Sequence, residues 1–240
     1  MRCERTKKKV AGAVAVAFLV LLLAAGCDST PKSHPAGPTL APSDLGLPAG
    51  ASAASEFAIL ESRGTAGRFP LALAVARLGA GRDDAVNRGW QIASLKEEQA
   101  VWWNSLFNNV PAVREVVIMS AKTAGPPGAG MPALINKARR LNARLCLVFG
   151  PAPAGPDEAA LIGALFDTQT GQAIARIQAQ ATPADFQPHR RPDGLQGDRR
   201  HVDPQYFADR RFQEQVRDCV LELIKRDALP TAASAPNPEK

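Results

Sequence analysis

Five consecutive apolar residues, Leu145 to Phe149 in the stretch "RLCLVFG", carry no polar alternation. A strand with one face in water alternates apolar and polar side chains. One that does not alternate belongs to the centre of a sheet and is covered on both faces. A fold of this chain has to bury that strand twice over.

The elements before it supply the context. "RFPLALAVARLG" is a short apolar run bounded by Pro70 and Gly79, which reads as a buried strand from Leu71 to Arg77. In "SLKEEQAVWWNSLFNNV", Ser94 and Glu97 have the spacing of a capping box. Leu95, Trp102, Leu106 and Val110, with Trp103 and Phe107 beside them, make a broad apolar helical face that ends at Pro111. "REVVIMSA", Arg114 to Ala121, reads as the next strand. After a Gly/Pro loop, Leu134, Ile135, Ala138 and Leu141 share one face of a second helix. Right-handed crossovers in this β-α-β-α-β unit make its three strands parallel.

After the central strand the pattern changes. "AALIGALFDTQTGQAIARIQAQA" reads as an antiparallel hairpin turning on Asp167–Gly171, where Gly171 can adopt the left-handed conformation that closes the turn. The last amphipathic helix has Asp203 as its cap and Pro204 in its first turn. Its stripe of Phe212, Val216, Cys219, Val220, Leu223 and Ile224 packs on the sheet. The expected fold is α/β: one domain over residues 56–229, with a mixed sheet of about five strands closed by that C-terminal helix. This order of elements, with the turn "DTQTG", resembles the small α/β domains of envelope proteins such as the amino-terminal domain of the TolB translocation protein and the curli-export lipoprotein. The resemblance implies membrane-associated assembly and carries over no functional residue.

The amino terminus gives an address. "MRCERTKKKV" holds Arg2, Arg5, Lys7, Lys8 and Lys9 against Glu4, and an uncharged stretch runs from Val10 to Gly26. This is the layout of a secretory signal peptide. Ala24, Ala25 and Gly26 lead directly into Cys27, and here the chain resembles the signal of bacterial lipoproteins. That resemblance implies removal of residues 1–26, a diacylglyceryl thioether on Cys27, acylation of the new amino group, and a periplasm-facing protein anchored in a membrane of the cell envelope. Asp28 resembles the sorting residue that retains some lipoproteins in the inner membrane. Residues 27–55, rich in Pro, Ala, Gly and Ser, read as a disordered tether, and 230–240 as a disordered tail.

Signal removal also changes the charge. Residues 1–26 hold five of the 29 basic groups and one of the 23 acids, so 24 and 22 remain in the mature part. The pI of 9.4 belongs mostly to the signal, and nucleic-acid binding loses its main support. Of the four cysteines, Cys146 and Cys219 are left, and the geometry of a helix on a sheet favours two buried thiols over a bridge.

Sites of chemistry are sparse. "GPPGAGM", Gly125 to Met131, follows a strand and precedes a helix but lacks the Lys and Ser/Thr of a phosphate loop, so a flexible connection is the stronger reading. No G-x-S-x-G occurs. His34, His189 and His201 lack partners at metal-binding spacing, so neither a metal nor another cofactor is expected. Asp83 and Asp84 follow the first strand, where α/β sheets place ligands; adjacent loop acids are ordinarily just solvated. Arg190, Arg191, Arg199, Arg200, Arg210 and Arg211 crowd the segment before and into the last helix. They suit contact with anionic headgroups or an acidic partner surface. Local pairing with Asp185, Asp193, Asp198, Asp203 and Asp209 is the stronger expectation.

The sequence thus reads as a non-enzymatic, membrane-anchored envelope lipoprotein that binds a protein or surface partner. Two alternatives stand beside it. One is a small-ligand or enzymatic domain using the carboxyl ends of the parallel strands near Asp83, Asp84 and residues 122–131. The other is an oligomerising export subunit.

Overall fold

The computed structural model describes residues 39–48, 56–61, 67–80, 90–120, 130–186 and 203–228. Those residues form one mixed sheet of seven strands: β1 (Phe57–Ile59), β2 (Leu71–Ala80), β3 (Trp90–Ala93), β4 (Val113–Ile118), β5 (Leu145–Ala152), β6 (Ala159–Asp167) and β7 (Ala173–Ala181). The helices α1 (Glu97–Leu106), α2 (Gly130–Arg140) and α3 (Pro204–Ala228) pack against it.

The strand order runs β1-β7-β6-β5-β2. β2 then divides its outer edge between two partners. Leu71–Val75 pair in parallel with β4, and Arg77–Ala80 pair antiparallel with β3. β2, β4 and β5 are parallel, and β6–β7 is an antiparallel hairpin, both as the sequence implies. The sheet exceeds the expected five strands by β1 and β3. These have three and four residues, too few to show a period.

β5 is the doubly covered strand, and alternation along the sheet separates two cores. Leu73, Val75, Leu147, Phe149, Leu161 and Leu165 lie with Trp103 and Phe107 of α1 and Phe212, Val216, Val220 and Leu223 of α3. Ala74, Ala76, Val148, Ile162, Ala164 and Phe166 lie on the opposite face with Ile135 and Ala138 of α2. The second face is built largely from alanine and leaves room close to the strands. Leu40, Leu45 and Leu47 fill it. Residues 39–48, expected within the tether, are therefore packed: Leu40 and Leu45 are fully buried, and the Leu40 N–H donates to the Pro151 carbonyl at 2.7 Å. Three large side chains suffice to hold a segment whose overall composition reads as a linker.

Local signals explain the element ends. In the hairpin, Asp167 Oδ1 accepts the Gln169 N–H at 2.8 Å, and the Gly171 N–H donates to the Asp167 carbonyl at 2.8 Å with Gly171 at φ +74°. At α3, Asp203 Oδ1 accepts the Gln205 N–H at 2.9 Å. α1 differs from expectation. Its cap lies two residues beyond Ser94, because Gln99 Oε1 takes the Lys96 N–H at 3.1 Å and Gln serves at this position as Glu would.

Cys146 and Cys219 are free and fully buried, one in each core. Among the described residues no helix is long and apolar enough to cross a membrane.

Candidate functional site

A single charge interrupts the apolar register of β2. Arg77 stands where the outer edge of β2 passes from β4 to β3, with Ala93 beside it on one side and Phe149 on the other. Its guanidinium carbon lies 5.9 Å from the centroid of the Phe149 ring, within cation–π range. Nη2 lies 3.5 Å from Asp209 Oδ1, and the two side chains are only 17% and 16% exposed. A half-buried cation so placed needs this carboxylate.

Asp209 is held from three elements. Gln205, one turn earlier in α3, donates Nε2–H to Oδ1 at 3.1 Å, and Gln99 of α1 donates to Oδ2 at 2.9 Å. Gln99 thus uses both ends of its amide: the oxygen caps α1 and the nitrogen holds α3. Burial pushes the Asp209 carboxyl pKa up, with Asp203 adding to the rise, while Arg77 and the two glutamines pull it down. The net direction is upward.

These residues line a cleft of about 600 Å³ at the carboxyl end of β2. Gly79 and Ala93 are among its small residues, Trp102 and Tyr206 among its aromatic ones, and Ser94, Lys96, Glu98, Asp203, Arg210 and Gln213 add to the polar lining. Tyr206 is 58% exposed, one of the two most exposed large apolar side chains among the described residues. Arg210 is held in its charged form by the Tyr206 hydroxyl and by Glu214, whose Oε1 is 3.4 Å from Nε.

A second charge cluster lies at the other end of β2. Arg68, with a side chain 1% exposed, reaches both carboxylate oxygens of Glu61 at 2.8 and 3.0 Å, and its Nε is 3.6 Å from Asp167. Arg144 also reaches Asp167, at 3.4 Å, and the Arg68 backbone N–H donates to Asp227 Oδ2 at 3.1 Å. This cluster ties the start of β2 to the hairpin and to the end of α3. A second cavity, apolar and about 590 Å³, is bordered by Leu45, Met131, Ile135 and Phe166 on the α2 face.

Of the six arginines named from the sequence as anion or partner contacts, Arg210 and Arg211 are described. Arg210 borders the cleft, and Arg211 donates to the Gln180 carbonyl and to Asp185 Oδ1 at 2.9 Å. The Asp185 carboxyl is held below the usual carboxylate range, first by the Thr182 N–H and then by Arg211. Cys27, Asp28, Asp83, Asp84, Arg190, Arg191, Arg199 and Arg200 lie outside the described residues, as do the three histidines and most of the 122–131 loop. Among the described residues no group of three potential metal ligands occurs. The sequence reading did not assemble Arg77, Gln99 and Asp209. Its available signal was one arginine inside "LALAVARLG", since a charge in a buried strand requires a partner.

No protein-family model matches the sequence, and no curated protein matches it by sequence. Among solved structures the chain is similar to PelC from Paraburkholderia phytofirmans, solved as a dodecamer, at 13% identity and a TM-score of 0.35, over 67% of this chain and 96% of that one. It is also similar to the LpoB C-terminal domain from Salmonella enterica, at 16% identity and a TM-score of 0.30, over 48% of this chain and 84% of that one. TolB from Acinetobacter baumannii, at 10% identity and a TM-score of 0.27, is matched over 51% of this chain and 25% of TolB. Likenesses of this size transfer no residue role to the cleft.

Proposed function

We propose that the chain is a non-enzymatic lipoprotein of the cell envelope, anchored in a membrane through acylated Cys27, whose periplasmic α/β domain binds a protein partner. The observation that carries this reading is the convergence on Cys27 of a cationic head, an uncharged run from Val10 to Gly26 and a small-residue box. Two or three acyl chains, at ~0.8 kcal/mol per buried methylene, hold a protein at a membrane without a spanning helix. Asp28 favours retention in the inner membrane.

Intact-protein mass spectrometry of the membrane fraction tests the anchor. A mature chain starting at Cys27 with a diacylglyceryl increment is the expected result; an unmodified soluble chain starting elsewhere overturns it. Crosslinking in intact envelopes, followed by purification in detergent, tests the partner. One stoichiometric envelope protein recovered with the wild type is expected, and recovery of none overturns the binding role.

A further inference from the structure

We infer that the cleft between Arg77, α1 and the start of α3 binds an uncharged saccharide. The inference is independent of the anchor and of the protein partner. Its volume of about 600 Å³ falls within the ~300–1,000 Å³ of small-ligand sites.

Charge decides against ionic ligands. Among the described lining residues, Arg77, Lys96 and Arg210 are matched in number by Glu98, Asp203 and Asp209, and the innermost pair, Arg77 and Asp209, neutralise each other. A site for phosphate would leave cations in excess, and a site for an amine would leave acids. The polar groups here are instead planar and two-pronged: the amides of Gln99, Gln205 and Gln213, the Asp209 carboxylate and the Arg77 guanidinium. Each can both brace its neighbour and meet adjacent hydroxyls that donate and accept in turn. Gln99 and Gln205 are already fixed by their bonds to Asp209, so little side-chain freedom is lost on binding.

The aromatic residues fit the same ligand. The face of an aromatic ring carries partial negative charge and accepts the polarised C–H groups on the apolar face of a sugar ring. Trp102 and Tyr206 border the cleft, and the exposed Tyr206 holds its apolar ring at water's edge. Gly79 and Ala93 keep bulk out of the space between the two helices and β2.

The test uses the full chain, purified in a detergent without a sugar headgroup. Maltotriose, cellotriose and chitotriose are titrated by calorimetry, with triglutamate, trilysine and inorganic phosphate as charged probes. The expected result is saturable binding of at least one trisaccharide with a Kd on the order of 1 mM or tighter. That binding should weaken at least about tenfold in Trp102→Ala or in Tyr206→Ala at unchanged melting temperature. Tyr206 is exposed, so its variant keeps the test valid if Trp102→Ala fails to fold. Absence of saturation with all three sugars, saturation by a charged probe alone, or sugar binding undiminished in both folded variants overturns the proposal.

Discussion

Phe212 of α3 rests against the bare Cα of Gly163 in β6: a Cβ added there would stand 2.7 Å from Phe212 Cζ and 2.9 Å from the Phe149 Cβ. The same Phe212 ring stacks on Phe149 at 4.9 Å between centroids, and Phe149 meets Trp103 at 5.7 Å. Gly163 is thus the notch that lets the last helix join the aromatic column under the cleft. Gly163→Ala should cost ~1–3 kcal/mol through overpacking, read as a lowered urea midpoint with unchanged slope. A midpoint equal to that of the wild type would show that Phe212 does not occupy the notch.

Residues 39–48 contribute to the core. Leu40 and Leu45 are fully buried against the alanine-rich face of the sheet, and large-to-small changes at such sites cost ~2–5 kcal/mol. Leu40→Ala and Leu45→Ala should each lower the melting temperature clearly. A free tether through residue 55 would make both changes silent, so thermal melts of the two variants separate the alternatives.

What the sequence disclosed and what it hid divide along physical lines. Leu145–Phe149, the turn at Asp167–Gly171 and the stripe of α3 were legible because each is a local pattern: an unbroken run, a glycine at positive φ, a 3.6-residue period. Leu40, Leu45 and Leu47 were not, since a few leucines among Pro, Ala and Gly leave the average composition that of a linker. Nor could local reading find the cleft. Gln99 and Asp209 are 110 residues apart, and nothing near Gln99 marks its amide as shared between two helices. The charge of Arg77 was present in the sequence but was read only as the end of an apolar strand, and its partner depended on the docking of α3.

Cys146 and Cys219 should be chemically silent in the folded protein. Cys146 and Cys219 lie in different cores on opposite faces of the sheet, and burial pushes each thiol up to about 12. Since the thiolate is the nucleophile, iodoacetamide at neutral pH should label neither thiol until denaturant unfolds the chain. A reducing agent should leave the melting temperature unchanged. The raised thiol pKa also sets a sign: the native state retains protons that the unfolded chain releases, so these groups lose stability for the fold as pH climbs from about 9 toward 12. Labelling of either residue in the native protein at neutral pH would contradict the two-core placement.

Asp209 should make stability fall as pH rises through the acid range. Its carboxyl is raised above 3.8 by burial, then by the nearby Asp203, against the pull of Arg77, Gln205 and Gln99. In the window between 3.8 and that raised value the folded chain binds more protons than the unfolded one, so ∂ΔG/∂pH for unfolding is negative for this group. Asp209→Asn removes the titration while keeping the shape, and an Asn or Gln amide can turn to match the two glutamine donors. Other titrating groups cancel in the comparison of wild type with variant. Urea midpoints measured from about pH 4 to 7 should therefore show the wild type losing ground against Asp209→Asn as pH increases. The opposite trend, the wild type gaining on the variant, would mean that Arg77 and the two glutamines outweigh desolvation, and that the pair at the base of the cleft is a net stabilising ion pair.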